Sequence, residues 1–181
     1  ALRLAALLHD IGKPRVAKRG EKGLTFPNHH RVSADMAQDI LKRLRCKGAL
    51  IQKVVLLIRH HMFFYTPDSP ISAGRKLISR VGWDNIYDLM ELRVADRIAS
   101  GFQDPTCPGL EKLRQDLETL KKENSDYKIK DLAISGGDLI DHLGVSPGPE
   151  IGNTLKFLLR RVLDDPRLNT RDQLLALARK L

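Results

Sequence analysis

Two residues able to hold a metal stand side by side near the start of the chain, as His9-Asp10 in Leu7-Leu8-His9-Asp10-Ile11-Gly12-Lys13-Pro14. An apolar helix that runs into His-Asp and then breaks at Gly and Pro sets both side chains at one helix end. On a regular helix adjacent side chains point about 100° apart, so the two can turn toward one ion only where glycine relaxes the backbone. Imidazole and carboxylate recur at His29, His30, His60, His61 and Asp96. A mixed set of this kind suits Zn, Mn, Fe or Ni, and holds Mg weakly. Asp96 lies in Arg93-Val94-Ala95-Asp96-Arg97-Ile98-Ala99, where half-burial is expected and a carboxylate needs a partner. That partner is either Arg93 or Arg97 in a salt bridge or a cation shared with His-Asp. In each of the doublets His29-His30 and His60-His61 only one ring can share a face with such a site, and the other is expected in solvent. Lys13 is placed to hold a phosphate oxygen, or is one more surface lysine. No P-loop, GxSxG, GxGxxG or HExxH pattern is present, and Gly136-Gly137 reads as a turn before a helix.

The elements that must position these residues are helical nearly throughout. An apolar helix is expected over 1–11, ended by Gly12 and Pro14, with a basic loop through Gly23 to Pro27. Residues 29–45 carry a helical stripe at Val32, Met36, Ile40, Leu41 and Leu44. Residues 48–64 form a helix apolar enough for the core, which delivers His60, His61 and Met62 near its far end. Ser72 is expected to cap a short helix to Val81. A helix over 84–100 turns Ile86, Leu89, Met90, Val94, Ala95 and Ile98 inward. The loop at 101–109, with Gly101, Pro105, Pro108 and Gly109, marks a boundary. A charged helix over 109–124 has a narrow seam of Leu110, Leu113, Leu117 and Leu120, which suggests a surface or connecting helix. Beyond residue 130, Ser135 caps a short helix ended by Gly144, Pro149 opens a longer one, and Asn169-Thr170 begins the last.

The chain has 181 residues, 42% of them hydrophobic and 29% charged, enough for one sizeable domain or two small ones. No apolar run approaches the roughly 18 residues of a membrane span, and no signal peptide is recognisable. Cys46 and Cys107 form no zinc spacing and are expected to be reduced, in a cytoplasmic protein. The net charge of +9 favours a polyanionic partner such as nucleic acid. Lys156, Arg160, Arg161, Arg167 and Arg171 give the last helices a basic bias suited to RNA phosphates, or simply a solvated face. The first helix has neither an initiator Met nor a capping residue before it, as though entered partway through a longer protein.

The segments Leu7 to Pro14, Asn28-His29-His30-Arg31-Val32-Ser33-Ala34, Ile58-Arg59-His60-His61-Met62 and Ala95-Asp96 together resemble the HD-domain metal-dependent phosphohydrolase superfamily. Within it the chain is similar to the HD-containing C-terminal region of bacterial tRNA nucleotidyltransferases (CCA-adding enzymes) and poly(A) polymerase relatives. The tail carries the likeness independently, in Lys130-Asp131-Leu132, Gly136-Gly137-Asp138-Leu139-Ile140, Leu143 through Gly152 and Asn169-Thr170. The resemblance implies an all-α fold: an HD-type helical bundle over 1–104, a connecting helix over 105–129 and a tRNA-contacting helical module over 130–181. It implies a divalent metal held by His9, Asp10 and Asp96, with the family's first histidine upstream of Ala1. His29 and His61 align with additional ligand positions, although Asn28 and His30 depart from the usual Gly-His-Glu. Asp10 and Lys13 are the implied catalytic residues, and a phosphoester and the 3′ end of tRNA or another RNA the implied partners. Nucleotide addition in that family belongs to an N-terminal head with a Gly-Ser phosphate loop and paired carboxylates. Nothing here resembles that head, so nucleotidyl transfer by this chain alone is not expected. A non-catalytic tRNA-binding module with a vestigial HD site is the alternative.

Overall fold

Nearly every apolar stretch in the computed structural model is wound into a helix, and the structure describes residues 1–181 except 22, 102–106, 124–126 and 145. The all-α expectation holds. In chain order the helices are α1 (Leu2–Leu8), α2 (Lys13–Val16), α3 (His29–Arg43), α4 (Gly48–His60), α5 (Ile71–Val81), α6 (Trp83–Ala99), α7 (Pro108–Lys122), α8 (Gly136–Leu143), α9 (Pro149–Asp164) and α10 (Arg171–Ala178). A small antiparallel hairpin of β1 (Lys18–Gly20) and β2 (Gly23–Thr25) pairs Lys18 with Thr25. It occupies what the sequence suggested was a basic loop. No helix of the described residues is long and apolar enough to cross a membrane.

The chain divides into two units, one of residues 1–67 and 81–112, the other of 68–80 and 113–181. In the first, α4 is the central element, with α3, α1 and α6 packed on it. Its core includes Ala5, Leu41, Val54, Leu57, Ile58, Ile86, Leu89 and Leu92, all fully buried. α3 turns inward not the large residues Val32, Met36 and Ile40 but a row of small or polar ones, His29, Ser33, Ala34 and Ala37, with Leu41. Leu44 is exposed. Small side chains at one-turn spacing let two helices approach closely, and that decides which face is buried more than hydrophobicity does. α6 likewise departs from its apolar pattern: Ile86, Leu89 and Met90 are buried, but Ala95 and Ile98 face solvent.

In the second unit, Leu132, Ile134, Leu139, Leu158, Val162, Leu174 and Ala178 form the core. Local signals act as expected here. Ser135 accepts a hydrogen bond from the Asp138 N–H, and the Asp138 carboxylate accepts one from the Ser135 N–H, closing a capping box on α8. Gly144 ends that helix at φ +66°, and Pro149 opens α9.

Helix ends shift elsewhere. α1 stops at Leu8 rather than residue 11, and α4 stops at His60 rather than 64. Pro14 lies in the first turn of α2, and Ser72 lies inside α5 rather than capping it. Most of the loop expected at 101–109 falls outside the described residues, as do residue 124 and Val145. The seam of α7 is no surface stripe: Leu113, Leu117 and Leu120 are fully buried. Replacing Leu117 with Ala should therefore cost about 2–5 kcal/mol in urea unfolding, whereas a surface position would cost within about 0.5 kcal/mol.

Candidate metal centre

α1 and α4 end in the same way, and the two ends supply two rings of the site. The last carbonyls of a helix lack intrahelical partners. The His9 ring follows α1 and donates from Nδ1 to the Ala6 carbonyl at 2.7 Å. The His61 ring follows α4 and donates from Nδ1 to the Ile58 carbonyl at 2.7 Å. His29, at the start of α3, donates from Nδ1 to the Phe26 carbonyl at 3.0 Å. A carbonyl can only accept, so each ring carries its proton on Nδ1, and Nε2 of the neutral ring is left as a bare acceptor.

Two of those acceptors face Asp10, and the third, on His61, faces His29. Nε2 of His9 lies 3.3 Å from Asp10 Oδ2, Nε2 of His29 lies 3.3 Å from Asp10 Oδ1, and the Nε2 atoms of His29 and His61 are 3.3 Å apart. Asp96 joins from α6, its Oδ1 3.4 Å from His9 Nε2. One atom each from His9, Asp10 and His61 lie within 4.8 Å of one another. Asp10 Oδ1 is buried without a hydrogen-bond donor, a situation that ordinarily costs about 1–3 kcal/mol, and more for a charged group. The cluster is thus rich in lone pairs and poor in protons. A divalent cation fits this nitrogen and oxygen set, and the carbonyls that fix the rings are the outer partners that metal-bound histidines commonly have.

Two cations border the cluster. Lys13 Nζ bonds Asp10 Oδ2 and lies 5.6 Å from the centre of the Phe26 ring. Arg93 bonds Asp96 Oδ2 at 3.0 Å. A cavity of about 410 Å³ opens here, lined by Asp10, Lys13, Phe26, His29, His61, Met62, Arg93, Asp96, Arg97 and Ser100. The turn carrying Asp10 is pinned to α3: the Gly12 N–H donates to the Ser33 hydroxyl at 2.9 Å. A Cβ on Gly12 would come within 2.6 Å of the Ser33 nitrogen, so glycine is required by the close approach.

His9, Asp10, His29, His61 and Asp96 are therefore brought together, with Lys13 at the edge. His30 and His60 are half-buried rather than in solvent, and the His30 ring borders the cluster, its centroid 6.0 Å from that of His29 and 6.5 Å from that of His61. Arg93, Phe26 and Ser33 stand at or beneath the site without having been singled out as parts of it. The only sequence signal for Ser33 is its position one helical turn after His29.

The basic residues of the second unit divide into two groups. Arg167 makes two bonds to Asp165, each of 2.9 Å. Arg171 bonds Asp138 at 2.9 Å and His142 Nε2 at 2.6 Å. The Ser135 N–H and then the Arg171 guanidinium hold the Asp138 carboxyl well below the usual carboxylate range. Lys156 and Arg160 instead line an open groove on α9, and Arg161 is exposed.

A family model described as tRNA nucleotidyltransferase domain 2 matches residues 26–178. The chain belongs to the tRNA nucleotidyltransferase family. It is 32% identical over 162 residues to the A-adding tRNA nucleotidyltransferase of Deinococcus radiodurans, which covers 87% of this chain and 36% of that protein. It is 32% identical over 173 residues to the CC-adding tRNA nucleotidyltransferase of Thermus thermophilus, covering 94% of this chain and 38% of that protein. The chain thus spans little more than a third of the length of these curated relatives. No solved structure matches it. The nucleotidyltransferase match takes in His29, His61 and Asp96 but begins after His9-Asp10, so the HD reading rests on the residues and their geometry.

In this tRNA nucleotidyltransferase region, burial pushes the His61 ring down to about 4, against the raising effect of its bond to Ile58 and with His9 and His29 pushing the same way. Burial, then the charge of His29, also lowers His30. For His61 the unfolded chain takes up a proton near pH 6.5 and the folded chain only near 4. The unfolded state therefore binds more protons between these values. Stability is full above pH 6.5 and declines as the pH falls toward 4, by about 3 kcal/mol for a shift of this size. Urea unfolding of the metal-free chain at pH 7 and 4.5 should show the decline, and His61→Gln should flatten it. A variant as pH-sensitive as the original would remove His61 as its source.

Proposed function

We propose that this chain is the helical region of a protein of tRNA 3′-end processing. In this reading it carries a metal-dependent HD phosphohydrolase site at His9, Asp10 and Asp96, extended by His29 and His61, on an RNA-binding body. The observation that carries the proposal is the placing of the His9 and His29 Nε2 atoms each 3.3 Å from one carboxylate, with the His61 Nε2 3.3 Å from that of His29. The curated relatives are named for adding A or CC to tRNA, which supports tRNA as the RNA partner.

A divalent cation bound there acidifies water and polarises a phosphoryl oxygen. The residues of the chain divide the remaining work. His9, His29 and His61 hold their Nδ1 protons on carbonyls and so present fixed Nε2 lone pairs. Asp10, whose side chain lines the cavity, would accept the proton of the attacking water. Lys13 and Arg93 lie in the cavity wall, placed to neutralise the charge of a departing phosphate. Phosphomonoesters, cyclic nucleotides and RNA-end phosphates fit this chemistry.

A second reading, a vestigial site in a non-catalytic tRNA-binding module, is favoured by one observation. Lys13 on Asp10 and Arg93 on Asp96 already compensate the two carboxylates. Metal analysis and a phosphomonoesterase assay with added Mn, Ni, Mg, Zn or Fe separate the two. The HD reading expects bound metal and metal-dependent activity. His9→Ala and Asp10→Ala should each lower metal affinity or activity by more than the 10–100-fold typical of losing an outer partner. Equal activity in both variants, or no metal bound at all, would leave the vestigial reading standing.

A further inference from the structure

Lys13 and Arg93 each hold a carboxylate of the metal centre, but in different ways. Asp96 gives Oδ2 to Arg93 and faces His9 Nε2 with Oδ1, so its two partners take separate atoms. Asp10 Oδ2 carries Lys13 Nζ and also lies 3.3 Å from His9 Nε2. We infer that Lys13 is an exchangeable counter-ion, which gives up Asp10 Oδ2 when a divalent cation binds between His9 and Asp10 and turns its ammonium to a phosphate in the cavity. Metal and phosphate then each tighten the binding of the other. The inference rests on the metal site proposed above and concerns its regulation.

The exchange follows from charge and reach. A cation that bridges His9 and Asp10 takes the oxygen that Lys13 holds. That oxygen has lone pairs for both, but an ammonium and a divalent ion on one atom are like charges a few ångströms apart. At a half-buried carboxylate their repulsion is less screened than in water. Lys13 is the partner able to move. Its N–H donates to the Asp10 carbonyl at 3.0 Å, and the Gly12 N–H before it donates to the Ser33 hydroxyl at 2.9 Å, so the backbone is fixed. The side chain is a compact charge on a flexible four-carbon stem, 36% exposed.

The cavity supplies the second position. Phe26 shares its wall with Lys13, and the ring centre lies 5.6 Å from Nζ, within the range at which an aromatic face attracts an ammonium. Released from Asp10, Nζ keeps that neighbour and can donate to a phosphate oxygen. A phosphate that holds Nζ removes the competitor for Asp10, and a cation on Asp10 releases Nζ for phosphate. Both ligands select the same position of one side chain, so linkage makes the coupling equal in the two directions. Arg93 lacks this property, because the oxygen it holds is not the one that faces His9.

The test is Mn²⁺ binding to the full chain, read from the electron paramagnetic resonance of the free ion, with and without inorganic phosphate. Lys13→Met keeps an apolar stem and removes the charge. Without phosphate it should bind Mn²⁺ at least roughly tenfold more tightly than the original, the size of effect one nearby charge has on a carboxylate's proton. Phosphate should tighten Mn²⁺ binding to the original chain by roughly 5–150-fold, and by at least about fivefold less in Lys13→Met. Lys13→Arg should keep the coupling, and Arg93→Gln should not tighten Mn²⁺ binding. Binding by Lys13→Met no tighter than the original would overturn the exchange and leave Lys13 as a fixed partner of Asp10. Equal coupling in the two chains would overturn it too, since phosphate would then act through the metal alone. Equal tightening by Arg93→Gln would reduce the effect to lost positive charge and overturn the role of the shared oxygen. No Mn²⁺ bound by any of these chains would overturn the metal site and the exchange with it. The expected coupling without phosphoester hydrolysis would overturn the phosphohydrolase reading alone.

Discussion

Three backbone carbonyls, those of Ala6, Phe26 and Ile58, set the character of the first unit, because each takes the Nδ1 proton of an imidazole three residues later. A histidine free to choose its tautomer could face a carboxylate with an N–H and be satisfied by it. Here that choice is gone. In the neutral rings the nitrogens that face inward are acceptors, and those of His9 and His29 face carboxylate oxygens. Two of the three carbonyls belong to the last turns of α1 and α4, where backbone oxygens lack partners in any case. The same contact thus completes a helix end and aims a ring.

Position is then a matter of how closely the elements approach. His29 and Ser33 sit one turn apart on the buried face of α3. Ser33 takes the Gly12 N–H, while His29 meets Asp10 on the same turn of chain. A single helix face therefore fixes both the backbone of the His-Asp turn and one of the rings opposite it. The small residues Ser33, Ala34 and Ala37 make the approach possible. Larger residues on that face would hold α3 away from α4 and separate His29 from His61. The choice of buried face, unexpected from hydrophobicity, is the one that brings the rings together.

This explains what the sequence could and could not convey. His9-Asp10 before a glycine, and Asp96 alone in a half-buried helix, were legible because the residue types are costly to bury without purpose. One ring from each later doublet could be expected to join them, and His29 and His61 are the ones buried. The capping box of Ser135 and Asp138 and the stop at Gly144 were legible because their effects are local. Helix faces were not. The leucines of α7 looked like a narrow seam among charges, yet they are core, because burial depends on neighbours that periodicity does not name. The grouping of the tail's cations was hidden for the same reason. Asp165 and Asp138 engage Arg167 and Arg171, while α5 adds Lys76 and Arg80 from far away in the chain.

The sequence set a salt bridge and a metal ligand against each other as fates for Asp96, and the geometry makes them compatible. Asp96 gives Oδ2 to Arg93 and keeps Oδ1 toward His9. Asp10 gives Oδ2 to Lys13 and keeps Oδ1, buried, toward His29. Each carboxylate is held by a cation on one oxygen, which fixes its plane, although Asp10 Oδ2 also faces His9 Nε2 at 3.3 Å. Such pairing lowers the cost of keeping two carboxylates close together, and it leaves Asp10 Oδ1 and Asp96 Oδ1 toward the rings. Lys13 and Arg93 therefore act on the site in two ways. They orient the two carboxylates, and both side chains lie in the wall of the cavity.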